Sequence, residues 1–282
     1  MPATTMIAGL IGDPVAHSLS PHMHNAAFQS IGLDAQYELW PTAHDGLAPR
    51  VTSLRRENII GANITVPHKQ AVMPLLDGLS DKARRIGAVN TIIARDGQLH
   101  GDNTDAYGFN RSMAEATGHL VPASALVVGA GGAARAVLVS LQDAGVAVII
   151  LVNRSQITAD ALAGSLNAPG RPVVQVRPWN SMPRLAASAA MLVNATSVGW
   201  HGEELPFGMD VIAALPDDAV AMDLTYRSTA MVRAALARGL RGVDGLSMLI
   251  YQGARAFELW TGQPAPVDVM RRAVLAEQAR RS

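Results

Sequence analysis

Short apolar runs alternate with segments of helical spacing along almost the whole chain. In the first third, Met6–Ile11, Gln36–Trp40 and Ile59–Ile64 read as strands, and Pro21–Ile31 and Asp45–Arg56 as helices. Gly87–Ala94 and Gln98–Gly101 read as two further strands flanking Asp96-Gly97, a dipeptide that favours a tight hairpin turn. A second series begins near residue 105: Leu126–Gly129, Val146–Val152, Val173–Val176, Met191–Asn194 and Val220–Leu224 are buried-strand candidates, each followed by a helix-like stretch. The tail, Asp244–Arg281, reads as two helices broken at Gly262-Gln263-Pro264. Such alternation predicts an α/β protein built from two units.

Composition narrows the function. The chain has 282 residues, 49% of them apolar and 16% charged, which fits a protein with a large core and excludes disorder. Twenty-three basic and 23 acidic residues cancel, so neither nucleic acid nor an anionic membrane is an expected partner. The absence of cysteine excludes disulfides, thiolate metal sites and a cysteine nucleophile, and no metal is expected. Met1–Gly12 lacks a basic flank and a long enough apolar run for a secretory leader, and no stretch approaches a bilayer span, so a cytoplasmic location is expected. Among the basic residues 21 are Arg and only two, Lys69 and Lys82, are Lys, the cation that is able to give up its proton.

Leu126-Val127-Val128-Gly129-Ala130-Gly131-Gly132-Ala133-Ala134-Arg135 runs from a strand into a helix across clustered glycines. Gly129, Gly131 and Ala134 satisfy the dinucleotide pattern: a tight turn, close backbone approach to a pyrophosphate, and a helix packed near the sheet. The next strand ends in Asn153-Arg154-Ser155. An NAD site usually has a carboxylate there; Arg154 suits the 2′-phosphate of NADP instead.

The first third carries polar clusters. His17-Ser18-Leu19-Ser20-Pro21 places two hydroxyls at the start of a helix, where one suffices as a cap. Asn63 and Thr65 share a face at the end of a buried strand, and Lys69 follows shortly after. Asn63-Ile64-Thr65 and Asn194-Ala195-Thr196 match glycosylation sequons, which are idle without a leader.

Taken in order, H-S-x-S-P at 17–21, N-x-T-x-P-x-K at 63–69, G-A-V-N-T at 87–91, G-D-N-T-D at 101–105, G-A-G-G-A-A-R at 129–135, N-R-S at 153–155, N-A-T-S at 194–197 and G-L-x-M-L-x-x-Q at 245–252 resemble the shikimate dehydrogenase (shikimate/quinate dehydrogenase) family. The resemblance implies a substrate domain over 1–105, completed by C-terminal helices in 245–282, and a doubly wound Rossmann-type NADP domain over 106–244. It implies interconversion of 3-dehydroshikimate and shikimate in chorismate and aromatic amino acid biosynthesis. Lys69 and Asp105 resemble the catalytic pair, and Ser18, Ser20, Asn63, Thr65, Asn90, Tyr226 and Gln252 the substrate-binding set. Gly129, Ala130, Gly131, Gly132, Ala133, Asn153, Arg154, Ser155, Thr196 and Gly245 fall to the cofactor. The partner implied is the small-molecule substrate alone, bound by a monomer or homodimer.

The residue chemistry agrees. A polyhydroxylated carboxylic acid calls for neutral hydrogen-bonding side chains, and ketone reduction needs a proton source beside a developing alkoxide. Three positions depart from the family pattern: Ala106 stands where Gly is frequent, Ser228 where Pro is usual, and Thr158 where a second basic residue often follows the N-R-S motif. Competing readings are an NAD-dependent quinate/shikimate dehydrogenase, a non-catalytic paralogue that senses NADP or shikimate, and a methylene-tetrahydrofolate-type dehydrogenase. Ser20 and the acid-free Asn153-Arg154 turn argue against the first, the retained Lys69 and Asp105 against the second, and the two-serine motif against the third.

Overall fold

The computed structural model describes residues 5–200 and 202–281. The elements of the first half are β1 (Met6–Gly12), α1 (Ser20–Ser30), β2 (Ala35–Pro41), α2 (Leu47–Ser53), β3 (Ile59–Ile64), β4 (Gly78–Leu79), α3 (Asp81–Ile86), β5 (Thr91–Arg95), β6 (Gln98–Asp102) and α4 (Asp105–Thr117). Then follow β7 (Ser124–Val128), α5 (Gly132–Asp143), β8 (Val148–Val152), α6 (Gln156–Leu166), β9 (Val174–Val176), α7 (Met182–Ala186), β10 (Met191–Asn194), α8 (Met209–Ala214), β11 (Val220–Asp223), α9 (Ala230–Ala237) and β12 (Arg241–Val243). Two long helices, α10 (Leu246–Thr261) and α11 (Val267–Arg281), close the chain.

Two compact units result: the described residues up to Tyr107 together with those from Ile250 onward, and residues 108–249. The first holds a mixed sheet of order β2-β1-β3-β5-β6-β4. β1 runs parallel to both β2 and β3, while β5 is antiparallel to β3 and β6. Its apolar core joins Ile11, Trp40, Val51, Ile64, Val89, Ile92 and Leu99. The Trp260 indole of α10 donates to the Ile92 carbonyl at 2.9 Å, fixing that helix on the sheet.

The second unit holds an all-parallel sheet of order β12-β11-β10-β7-β8-β9. The order reverses between β7 and β10, and ligands of open α/β sheets bind at the strand carboxyl ends of such a switch point. β7 and β10 read as unbroken apolar runs because helices cover both faces of a parallel sheet.

One strand assignment is corrected. Gly87–Ala94 is not all strand: α3 precedes it, capped by Ser80 Oγ accepting from the Ala83 N–H. Gly87 ends that helix in the left-handed region at φ 69°, which a side chain would strain. β5 begins only at Thr91. The hairpin at Asp96-Gly97 is present, with φ 52° and 72°. Asp45–Arg56 divides into a 3-10 turn, His44–Gly46, followed by α2.

Candidate active site

In the first sheet β1 lies between β2 and β3; the loop leaving the carboxyl end of β1 carries Ser18 and leads to Ser20, and the loop leaving β3 carries Lys69. Ser20 is the first residue of α1 rather than its cap, and Leu19, at the cap, provides no side-chain bond. Ser18 Oγ instead accepts the Ser20 N–H at 3.2 Å. Accepting that N–H uses only a lone pair, so the Ser18 hydroxyl still has its proton to donate.

Asn63 ends β3 with its side chain buried, and Thr65 follows, half-buried, tied by its N–H to the Ile11 carbonyl at 2.9 Å. The loop onward is anchored twice. His68, fully buried, sets Nε2 2.7 Å from the Thr42 carbonyl, so that nitrogen carries the proton. The Lys69 carbonyl accepts the Val89 N–H at 2.7 Å. Lys69 is thus no free surface lysine: its Nζ donates to Asp105 Oδ2 at 2.6 Å, with side-chain exposures of 14% and 9%.

Asp105 opens α4, but capping falls to Asn103, whose Oδ1 accepts the Ala106 N–H at 3.3 Å. That leaves both Asp105 oxygens for other partners. Asn90 Nδ2 donates to Asp105 Oδ1 at 2.9 Å and to Gln252 Oε1 at 3.3 Å. The orientation of the Asn90 amide is set behind it, because its Oδ1 accepts from the Thr104 N–H at 2.7 Å and Thr91 Oγ1 at 3.0 Å. Lys69, Asn90, Asp105 and Gln252 therefore form one connected group. Thr91 and Thr104, inside the motifs but given no role there, and Tyr37, outside them, are its buried supports. Ala106, the departure from the family pattern, lies buried within α4, where no turn requires glycine.

In the second unit Gly129 follows β7 with φ 109°, and a Cβ there would lie 3.0 Å from the Ala195 backbone and the Thr196 methyl. Gly131 caps α5 without any side chain, leaving the first-turn N–H groups of Gly132 and Ala133 for a ligand. Space in front of Gly131 is open, with nothing within 4 Å of an added Cβ. Ala130 lies half-buried between the two glycines. Thr196 is fixed by bonds from its N–H and Oγ1 to Asn194 Oδ1, at 3.1 and 2.8 Å. Asn194 in turn donates to the wholly buried Asp223 at 3.0 Å.

At the end of β8, Asn153 donates to the Ser155 carbonyl at 3.0 Å and Ser155 caps α6. Thr158 completes that cap with 2.9 Å between hydroxyls, so its side chain is engaged where the family often has a base. Arg154 is exposed and pairs with no acid among the described residues. A glycine turn, an uncapped helix start and a free guanidinium are the parts that a dinucleotide with a 2′-phosphate requires. Gly245 owes its identity to packing: a Cβ there would lie 2.1 Å from the Leu224 carbonyl oxygen. Tyr226 also belongs to this unit, with its ring edge-on to Trp200 at 4.8 Å. Ser228 precedes Thr229, the cap of α9.

The family described as "Shikimate dehydrogenase substrate binding domain" matches residues 10–92, "Shikimate / quinate 5-dehydrogenase" matches 112–199, and "Shikimate 5'-dehydrogenase C-terminal domain" matches 245–275. The shikimate dehydrogenase (NADP(+)) of Symbiobacterium thermophilum is 43% identical over 275 residues, which covers 96% of this chain and 94% of that one. The chain belongs to the shikimate dehydrogenase family. Shikimate 5-dehydrogenase of Thermus thermophilus, solved in complex with NADP(H) and shikimate, is 40% identical with a TM-score of 0.84, covering 96% of this chain and 99% of that one. Quinate dehydrogenase of Corynebacterium glutamicum, solved with NAD, is 33% identical with a TM-score of 0.88, covering 96% and 99%. The α/β architecture of the family, an N-terminal substrate domain and a Rossmann-like nucleotide domain, is the one described above.

Proposed function

We propose that this chain is an NADP-dependent oxidoreductase that interconverts 3-dehydroshikimate and shikimate. The observation that carries the reading is the Lys69–Asp105 pair, with Asn90 on the second carboxylate oxygen and Gln252 beside it. When bound, NADP(H) supplies or takes up the hydride. Reduction of the ring ketone turns its oxygen into an alkoxide that needs a proton. The Lys69 ammonium gives that proton as the charge develops, and the neutral amine takes it back in the oxidising direction. Asp105, held by Asn90, aims the lysine and stabilises its charged form.

Ser18 and Ser20 offer hydroxyl donors for the substrate carboxylate, and Asn63, Thr65, Asn90 and Gln252 hydrogen-bond the ring hydroxyls. The N–H groups from Ala130 to Ala133 would hold the pyrophosphate, and Arg154 with Asn153 and Ser155 would hold the 2′-phosphate. Thr196 and Gly245, in the second unit, would flank the cofactor. Among the described residues no helix is long and apolar enough to cross a membrane. The reading places a monomer or homodimer in the cytoplasm, which light scattering on a sized sample and fractionation of cells test.

Steady-state assays crossing shikimate and quinate with NADP⁺ and NAD⁺ test the function. Shikimate with NADP⁺ is expected to give the highest kcat/KM, above quinate by at least about tenfold, the scale of one misplaced hydroxyl. Equal rates with both acids point to a quinate/shikimate enzyme. Absence of any turnover, with NADP⁺ still bound, points to a sensing protein.

A further inference from the structure

The cluster at 17–25 holds more polar residues than the two serines account for, and His24 and Asn25 both act on Tyr37 of β2. The Asn25 side chain brackets the Tyr37 peptide, donating to its carbonyl at 3.1 Å and accepting its N–H at 2.7 Å. The His24 ring stacks on the Tyr37 ring at 4.4 Å and 9°, with Trp260 tilted 5.3 Å from the imidazole. Tyr37 is 2% exposed, and its hydroxyl donates to Asn63 Oδ1 at 2.8 Å. The Ser20 hydroxyl acts on the same phenol, opposing part of the rise in its pKa that burial imposes. To reach Asn63 on β3, the Tyr37 side chain passes over β1. The residues in register with it across those two strands are the small Ala8 and Gly61, and the space beside Gly61 is taken by the Trp260 indole, 2.2 Å from where a Cβ would stand.

We propose that Tyr37 is a positioning residue of the substrate site, holding the Asn63 amide in one orientation and in register with Ser20; this rests on the substrate reading given above. An Asn side chain has nearly the same shape at its two ends, so only its partners choose which end faces which way. Here Tyr37 takes the oxygen, and the nitrogen donates to the Asn90 carbonyl and to Thr91 Oγ1, each at 3.2 Å. Without the phenol the oxygen loses its donor in a buried site, and only the two 3.2 Å bonds from the nitrogen are left to hold the amide against tilting. The paired hydrogen bonds between the Asn25 side chain and the Tyr37 backbone fix the middle of α1, the helix that Ser20 opens, against the same strand.

The test is steady-state kinetics of Tyr37→Phe beside the unmutated protein, with each substrate varied in turn. The expected result is a KM for shikimate raised roughly 5- to 30-fold, the scale of one buried hydrogen bond. kcat stays within about threefold and KM for NADP⁺ is unchanged, a split that general loosening of the fold does not produce. In an Asn63→Ala background the same change is expected to add less than about twofold, because the route through Asn63 is already gone. An unchanged KM for shikimate, with or without a lower Tm, overturns the proposal, and so does full additivity with Asn63→Ala. If Tyr37→Phe fails to fold, Asn25→Ala reads the same quantity, and an unchanged KM there overturns it too. Turnover by the unmutated protein tests the function separately. Calorimetric binding of shikimate gives the variant ratios even without turnover, so the two failures are distinguishable.

Discussion

Lys69 Nζ stands 2.6 Å from Asp105 Oδ2 although 36 positions separate the two in the chain. The contact is built from both sides. Val89 holds the lysine's own carbonyl, and Asn103 takes over the helix cap that would otherwise occupy the aspartate. If Lys69 handles the proton of the reacting hydroxyl, Lys69→Ala is expected to lower kcat by roughly 10²–10⁴-fold, the usual scale for a lost acid–base group. NADP⁺ affinity is expected to hold, since the glycine turn belongs to the other unit. Lys69→Arg keeps the charge but does not release a proton at neutral pH, so little rescue is expected. Near-normal turnover by the Arg variant would make Lys69 an electrostatic anchor only.

Arg154 is exposed, ends β8 and has no acidic partner among the described residues. A charge-assisted phosphate contact is worth roughly 1.5–3 kcal/mol, or one to two decades. NADP⁺ is therefore expected to exceed NAD⁺ in kcat/KM by that factor, and Arg154→Ala to erase most of the difference through KM for NADP⁺. Thr158, bound into the cap of α6, offers no second cation to compensate. Equal use of both cofactors by the unmutated protein rules this out.

The parts of the fold that are legible in the sequence share a cause. A parallel strand covered on both faces has no polar phase, so β7, β10 and β11 stand out as apolar runs bounded by polar turns. α3 escapes such a reading although its signals are present: Ser80 as cap, Asp81 in the first turn, Arg84 and Arg85 in the last, then Gly87. The apolar Ala88-Val89 pair beyond Gly87 draws the strand boundary too early. β12, at Arg241–Val243, is too short to show a period. In the site, motifs locate Lys69, Asn90 and Asp105, yet spacing alone does not bring them together. Tyr37 gives no signal at all, because a tyrosine in an alternating strand looks the same whether its hydroxyl meets water or an asparagine.

Asp223 carries a buried network in the second unit: its carboxylate accepts from Asn194 at 3.0 Å, Thr229 at 2.9 Å and the Thr225 N–H at 2.9 Å. Every partner is a donor, so Asp223→Asn forces one N–H to face another. A loss of stability of roughly 1–3 kcal/mol is expected, the range for an unmatched buried polar group. Asn194 also fixes Thr196 beneath the Gly129 turn, so KM for NADP⁺ is expected to rise while shikimate binding holds. Urea unfolding and calorimetry with each ligand check both; equal weakening of the two ligands would refute the local account.

His24 is fully buried between Tyr37, Phe28 and Trp260, and neither ring nitrogen has a hydrogen-bond partner. Burial without a partner disfavours the imidazolium and lowers the pKa from 6.5 to about 3. Below pH 6.5 the unfolded chain takes up a proton that the folded chain refuses until about pH 3. Stability from this group is therefore complete above pH 6.5 and is lost as the pH falls through that window. Each unit of pKa difference is worth about 1.4 kcal/mol, so roughly 2 kcal/mol is expected to go between pH 6.5 and pH 5. His24→Phe keeps an aromatic ring against Tyr37 and removes the titration. Urea unfolding at pH 7, 6 and 5 is expected to show wild-type stability falling toward, or below, that of the variant as the pH drops. Any packing strain from the larger ring shifts the variant by the same amount at every pH, so only the slope matters. A difference between the two proteins that stays constant from pH 7 to 5 would mean that His24 does not control the acid sensitivity of the fold.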